Sequence, residues 1–394
     1  FLCILVCLMS VKSLSTNLWG ICAVSVALYG LYYWRRMYSP IMLTYQKNQF
    51  NQSIVSKCSL LLGSYWPSIP VFNSHLQGII LMRFRSKVDP KYRRESIIAK
   101  DGATLLLDWG ESEGPELTPN SPVVCLLTGT TGNSYSSYIT YLMVALRKQG
   151  YRPVCMNYPG LTDFPMTAPR FFCIDSVSDL KLFIDHVHEL YPDAPIIAIG
   201  FSIGGHFYLK YVQEEPDNPL SGLMTISAPF SPLKCDAFWK GKWINENVYD
   251  QHFLNKFKDG IRKNEAIFRT VDYINVDDIY ASKNMYEMHH TFTIPLSKLK
   301  TIEEYYQQNQ SDQRVKDVKV PTLILHAWND PVIPSHAIPI EDIKNNPNLI
   351  LATTERGGHT GWLSGFKPFS SLSWCENLAI EYVGAVVTSK NSTK

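Results

Sequence analysis

Three residue types at telling spacings carry chemistry in this chain. Ser202 lies in Gly200-Phe201-Ser202-Ile203-Gly204-Gly205, a G-x-S-x-G pattern. Glycines two positions either side allow a sharp turn in which larger neighbours would collide, and such a turn holds the serine backbone strained and its hydroxyl exposed. A serine hydroxyl is a weak nucleophile until a base takes its proton, and a carboxylate must orient that base. Downstream, Asp330 follows an apolar run in Leu325-His326-Ala327-Trp328-Asn329-Asp330-Pro331, and His359 follows the next run in Arg356-Gly357-Gly358-His359-Thr360-Gly361. The order Ser, Asp, His is that of nucleophile-elbow enzymes, and the chemistry would be acyl transfer through an acyl-enzyme. Singly, Asp330 reads equally well as a turn residue before proline and His359 as a loop histidine with a local bond. Jointly, in this order and each at a strand end, they read as a triad. Of the ten histidines, His326 falls inside a strand and His289-His290 in a later insertion, so neither competes. The oxyanion needs two N–H donors. The amide of Ile203 is one; the other is expected from the loop Thr128-Gly129-Thr130-Thr131-Gly132, with the Thr130 amide favoured and Thr131 second.

The elements that must position these groups alternate. Apolar runs predict strands at 123–127, 154–157, 196–200, 223–227, 322–326 and 349–353, and helical spacing predicts helices at 137–149, 176–191, 204–213 and 372–387. Asp101-Gly102 predicts a hairpin between two strands. Alternation of this kind means an α/β protein, a mainly parallel sheet with helices on both faces. Between 229 and 319 it stops, and a Trp-, Lys- and Tyr-rich, mostly helical stretch reads as a cap over the carboxyl ends of the strands. The expected organisation is a membrane anchor over 1–36, a connector over 37–94 packed on the main domain, an α/β domain over 95–388 with the cap at about 229–319, and a tail over 389–394. His188 and Asp193 have an H-x-x-x-x-D spacing, read as a coincidence because it points away from Ser202.

Composition narrows the class. The 394 residues are 45% hydrophobic and 18% charged, which suits a large core, and a net charge of +2 gives no basis for nucleic-acid binding. Nine cysteines without a C-x-x-C pair or zinc spacing predict buried free thiols, Cys125 and Cys155 among them. Leu18 to Trp34 holds no charge and is followed by Arg35-Arg36, which predicts a transmembrane helix at about 18–34, with a signal peptide cut near Ser25-Val26-Ala27 as the alternative. The expectation is a single-pass membrane protein, with the endoplasmic reticulum as a candidate location and the side of the catalytic domain left open. The chain starts at Phe1, so a fragment of a longer product is expected.

Beyond these patterns, the chain resembles the α/β-hydrolase domain-containing lipases with an N-terminal membrane anchor, relatives of YheT-like esterases. The resemblance rests on Gly200 to Gly205, on Tyr65-Trp66-Pro67 with His75-Leu76-Gln77, and on Ser335-His336-Ala337-Ile338-Pro339-Ile340 followed by Gly357-Gly358-His359. It covers roughly residues 58 to 388 and is nearest to medium-chain phospholipases and acylglycerol lipases. It implies an α/β-hydrolase fold, with Ser202 as nucleophile, Asp330 as acid and His359 as base. The oxyanion stretch departs from the family's Pro-Gly-Leu-Thr-Gly, and the cap matches least.

The expected function is hydrolysis of acyl esters of lipids, such as phospholipids or monoacylglycerols, with no metal or organic cofactor. Two alternatives stay open: an acyltransferase using the same acyl-enzyme, and a non-catalytic receptor for an apolar lipid or steroid. Trp239, Trp243, Phe253 and Phe257 could guide acyl chains or simply form the cap core, and Lys240, Lys242, Lys256 and Lys258 could meet phosphate or water.

Overall fold

The computed structural model describes residues 16–172 and 177–391. The strands are β1 (Ser39–Pro40), β2 (Met42–Tyr45), β3 (Ser64–Tyr65), β4 (Tyr92–Ile98), β5 (Thr104–Gly110), β6 (Val123–Leu127), β7 (Arg152–Asn157), β8 (Ile196–Phe201), β9 (Leu220–Ile226), β10 (Thr322–Ala327) and β11 (Leu349–Thr354). Nine of them form one sheet in the order β2-β11-β10-β9-β8-β6-β7-β5-β4. The pairs from β7 through β6, β8, β9 and β10 to β11 are parallel. Antiparallel strands close both margins, β5 and β4 on one side and β2 on the other.

The central strands are apolar throughout because both sheet faces are covered. Along β6, Val123, Cys125 and Leu127 join one core while Val124 and Leu126 join the other. The first face is covered by α5 (Val177–Leu190) and α6 (Ile203–Glu214), the second by α4 (Ser137–Lys148) and the C-terminal helix Trp374–Asn391. The predicted strands and helices are therefore present, each within a few residues of its expected ends. Cys125 and Cys155 are buried free thiols.

Residues 37–94 are more than a connector. They supply the edge strand β2 and the helices α2 (Gln49–Lys57) and α3 (Ser74–Arg83), which sequence reasoning passed over. Buried Arg85 ties the segment to the C-terminal helix, its Nη1 donating to Glu376 Oε1 at 2.5 Å and its Nη2 to Glu376 Oε2 at 2.6 Å. The cap runs from α7 (Pro232–Trp239) through α8 (Asp250–Lys263) and several shorter helices to residue 317.

The membrane expectation needs correction. The first described helix, α1 (Thr16–Met37), is bounded by Arg35-Arg36. No helix among the described residues is long and apolar enough to cross a membrane, which overturns the transmembrane helix at about 18–34 and the single-pass, endoplasmic-reticulum assignment. The run at 18–34 lacks charge, but Gly20, Ser25, Gly30 and the tyrosines 29, 32 and 33 dilute its hydropathy. Seventeen helical residues also span only ~26 Å, short of a ~30 Å hydrocarbon core. The end of α1 instead docks on the following segment: Tyr33 stacks on Trp66 at 5.9 Å and donates its hydroxyl to the Pro67 carbonyl. Residues 1–15, part of the expected anchor, and 392–394, part of the expected tail, lie outside the described residues.

Candidate active site

The strand order brings the loops after β6, β8, β10 and β11 to one rim, because parallel strands share their carboxyl ends. Ser202 sits between β8 and α6 with φ 53° and ψ −122°, a conformation L-residues seldom adopt. The surrounding structure holds it there: its N–H donates to the Ile226 carbonyl at 2.8 Å, and its own carbonyl accepts from Gly205 N at 2.9 Å. The flanking glycines are required by space. A Cβ at Gly200 would lie 2.5 Å from Gly204 backbone atoms, and one at Gly204 would lie 2.6 Å from the Thr128 carbonyl oxygen.

The three residues singled out from the sequence meet here. His359 Nε2 is 2.9 Å from Ser202 Oγ, and His359 Nδ1 is 2.9 Å from Asp330 Oδ2 and 3.2 Å from Oδ1. A carboxylate only accepts, so Nδ1 carries the proton and Nε2 offers its lone pair to the serine hydroxyl. Asp330 is 4% exposed, and its Oδ1 also accepts from the amides of Val332 (2.8 Å) and Ile333 (3.0 Å). The carboxylate is thereby fixed by backbone on one side and faces the imidazole with the other.

The histidine loop is braced by the segment before the α/β domain. Gly358 has φ +66° and packs so closely on α3 that a Cβ would lie 2.4 Å from the Ser74 carbonyl oxygen. Gln77 Oε1 accepts from the Tyr65 hydroxyl at 2.9 Å and from Leu363 N at 3.0 Å. His75 Nδ1 lies 2.8 Å from the Tyr249 hydroxyl of the cap. Asn329 contributes too, its Oδ1 accepting from Gly358 N at 3.2 Å. No role for Ser74, His75, Gln77 or Asn329 emerged from sequence reasoning, although Tyr65 to Pro67 and His75 to Gln77 carried the resemblance.

A cavity of about 540 Å³ opens over Ser202, with Thr130 and Ile203 in its wall. The two expected oxyanion donors therefore border the nucleophile's cavity together. Thr131 turns its hydroxyl to His252 Nε2 of the cap, 3.3 Å away. Phe172, Trp239, Phe253, Phe257, Val332 and Ile333 make much of the lining apolar. Trp243 is not part of it and stands 70% exposed. The acid loop is tied to the cap, since Trp239 Nε1 donates to the Val332 carbonyl and Asn245 Nδ2 to that of Pro331, at 2.9 and 2.8 Å.

Polar groups line the rest: Asp236, Lys240, Glu246, Asp250 and His289. Burial pushes the His289 imidazole down to about 4 and raises the Asp250 carboxyl above its usual range. Burial, with Asp330 and Asp236 nearby, raises the Cys235 thiol, which keeps it protonated in the cavity wall. Three of the cap lysines singled out from the sequence already have partners. Lys240 pairs with Asp236 at 2.9 Å, Lys242 lies over the Phe238 ring, and Lys258 donates to the Tyr280 and Ser282 carbonyls. His188 and Asp193 are exposed and precede the amino end of β8, at the opposite end of that strand from Ser202. Among the described residues no cluster of three or more His, Cys, Asp or Glu side chains is arranged to hold a metal.

Residues 118–344 match the family described as serine aminopeptidase, S33. That stretch is more than half of the chain and contains the elbow, the cap and Asp330. The chain belongs to this α/β-hydrolase family. It is 31% identical over 363 residues to a phospholipase, ABHD3, of Bos taurus, covering 91% of this chain and 87% of the relative. It is 32% identical over 342 residues to the embryogenesis-associated protein EMB8 of Picea glauca, with 84% and 75% covered. It is 24% identical over 359 residues to a monoacylglycerol lipase, ABHD2, of Danio rerio, with 87% and 85% covered. The resemblance drawn from the motifs thus holds at the level of the group, and the protein is a serine hydrolase of the ester-cleaving type.

Proposed function

We propose that this enzyme cleaves acyl esters of lipids with Ser202 as nucleophile, His359 as general base and acid, and Asp330 as the carboxylate that orients His359. The observation that carries the reading is the continuous chain from Asp330 Oδ2 through His359 to Ser202 Oγ, each contact at 2.9 Å. His359 Nε2 takes the serine proton as Oγ attacks the ester carbonyl. The negative charge that develops on the carbonyl oxygen faces the amides of Ile203 and Thr130, with the positive end of α6 behind the first of them. His359 then returns the proton to the leaving alcohol, and a water molecule activated by the same nitrogen releases the acid.

The lipid part of the reading rests on two supports. Relatives covering most of the chain are named a phospholipase and a monoacylglycerol lipase. The cavity wall beside Ser202 is built from aromatic and aliphatic side chains that suit an acyl chain. The test is labelling with a fluorophosphonate probe, followed by turnover of medium-chain acylglycerol and phospholipid esters. The parent protein should label and turn over; Ser202→Ala should do neither. Labelling that survives Ser202→Ala refutes the assignment.

A further inference from the structure

The loop after β6 must present the Thr130 amide to an oxyanion; inside it Gly132 N donates to the Gly129 carbonyl at 2.9 Å, a turn bond that shapes the loop but does not anchor it to the rest of the fold. The fixing groups lie around it. The Tyr158 hydroxyl donates to the Thr128 carbonyl at 2.9 Å, and Gly129 N donates to the Tyr138 hydroxyl at 3.1 Å. Four residues beyond Thr130, three separate elements converge on fully buried Ser134. Its N–H donates to Asn157 Oδ1 at 2.9 Å, its hydroxyl donates to Asp108 Oδ2, and its carbonyl accepts from the Tyr92 hydroxyl.

At the base of this knot is Asp108, on β5 and fully buried. Arg94 Nε donates to Oδ1 at 2.7 Å and Arg94 Nη2 to Oδ2 at 2.8 Å; Asn157 Nδ2 donates to Oδ2 at 2.9 Å. With the Ser134 hydroxyl, four donors surround one carboxylate. We propose that Asp108 is a positioning residue for the oxyanion loop, acting through Ser134 and Asn157 to hold the Thr130 amide at the distance the transition state needs. This rests on the reading of Ser202 and Thr130 given above. A buried carboxylate is costly unless paired and hydrogen-bonded. An ion pair alone would satisfy Asp108 with Arg94; the two further donors both come from groups that fix the loop. Asn157 is bound at each end, donating to Asp108 and accepting from the Ser134 amide, so the carboxylate holds Ser134 directly through its hydroxyl and indirectly through Asn157.

The geometry assigns a distinct signature to loss of this support. A loosened oxyanion donor weakens binding of the transition state and leaves ground-state binding alone. The experiment compares the parent with Ser134→Ala, Asp108→Asn and the double variant, using a medium-chain nitrophenyl ester, a trifluoromethyl ketone that forms an oxyanion on Ser202, and an uncleavable ether of the same chain. For Ser134→Ala and Asp108→Asn, kcat should fall by about 10- to 100-fold. The ketone should weaken by the same factor, while KM and ether affinity stay within about twofold. The double variant should be no worse than Asp108→Asn, because the Ser134 hydroxyl acts through its bond to Asp108. Should Asp108→Asn fail to fold, Ser134→Ala carries the test alone. Ser134→Ala with parent-like kcat and ketone affinity overturns the proposal, as does loss of ether affinity in step with ketone affinity. A parent protein that does not bind the ketone overturns the reading of the site itself, and this inference with it.

Discussion

Replacing Asp330 with Asn tests the site more sharply than removing the serine. The substitution keeps size and shape, and the structure dictates how the amide must sit. Two backbone donors, Val332 N and Ile333 N, hold the oxygen at the Oδ1 position at 2.8 and 3.0 Å. The amide oxygen must stay there, since an NH2 facing two N–H groups would leave all of them unsatisfied. The NH2 then takes the Oδ2 position, 2.9 Å from His359 Nδ1. It can only donate, so the imidazole must accept on Nδ1 and carry its proton on Nε2. That nitrogen faces Ser202 Oγ and can no longer take its proton. The wrong tautomer in a triad of this kind lowers kcat by about 10⁴-fold, which is ~5.4 kcal/mol at ~1.36 kcal/mol per factor of ten. The assay is single-turnover acylation by a medium-chain nitrophenyl ester, with thermal unfolding as the control for folding. Asp330→Asn should lose about four orders of magnitude, keep KM within a fewfold, and melt near the parent. Combined with Ser202→Ala it should be no worse than Ser202→Ala alone. A loss under tenfold would refute the orientation argument, because the carboxylate would then be dispensable to the tautomer.

Four further outcomes follow from the same structure. Gly358→Ala, with φ +66° and a Cβ 2.4 Å from Ser74 O, should shift the His359 loop and cost about 10²-fold in kcat; parent-like kinetics would show that loop to be free of the connector. Arg85→Met or Glu376→Leu alone should destabilise by about 3–5 kcal/mol in denaturant unfolding, and the double variant by much less, since both side chains are wholly buried and each alone strands a charge. Phe253→Ala should favour longer acyl chains, by about tenfold in kcat/KM for two added methylenes at ~0.8 kcal/mol each, read from a chain-length series. Acid should destabilise the fold through His206, His289 and His326, which burial lowers to about 3, 4 and 4. Between these values and the unfolded value of ~6.5 the unfolded chain binds more protons, so stability is intact above that value and is lost as pH falls through the window. Denaturant midpoints at pH 7 and pH 5 measure this, and equal midpoints would refute it.

The α/β unit was legible because its signals are local. Val123 to Leu127 and Ile196 to Ile199 are unbroken apolar runs, which only a two-sided sheet accommodates, and each catalytic candidate lies within a few residues beyond a strand of this kind. What escaped is pairing across long separations. The strand β2 meets β11 some 300 residues later, and Asp108 meets Ser134 and Asn157 through three different elements. An aspartate inside an apolar strand, Thr104-Leu105-Leu106-Leu107-Asp108-Trp109, was a signal that went unused: a charge there must have buried partners. The N-terminal helix was misread for a different reason. Absence of charge was counted where mean hydropathy decides, and tyrosines and glycines made up the difference.

The division of labour around Ser202 explains why residues 37–94 cannot be treated as a tether. The serine is positioned by the sheet itself, through β8, α6 and the glycines whose side chains the packing forbids. The base is held from two sides. On the sheet side, Asn329 accepts from Gly358 N and Ser227 Oγ from Thr360 N; on the other, Ser74 lies beneath Gly358 and Gln77 binds Leu363 on the far side of that loop. Ser74 and Gln77 belong to α3, and α3 is in turn fixed through Tyr65 and through the buried Arg85 to Glu376 pair. His75 of the same helix reaches Tyr249 of the cap, whose neighbours Val332 and Ile333 donate to Asp330. One short helix from outside the sheet alternation therefore touches the supports of both the base and the acid. The sheet fixes where the nucleophile is, and this helix joins the strand-end loops in holding the rest of the triad within its reach.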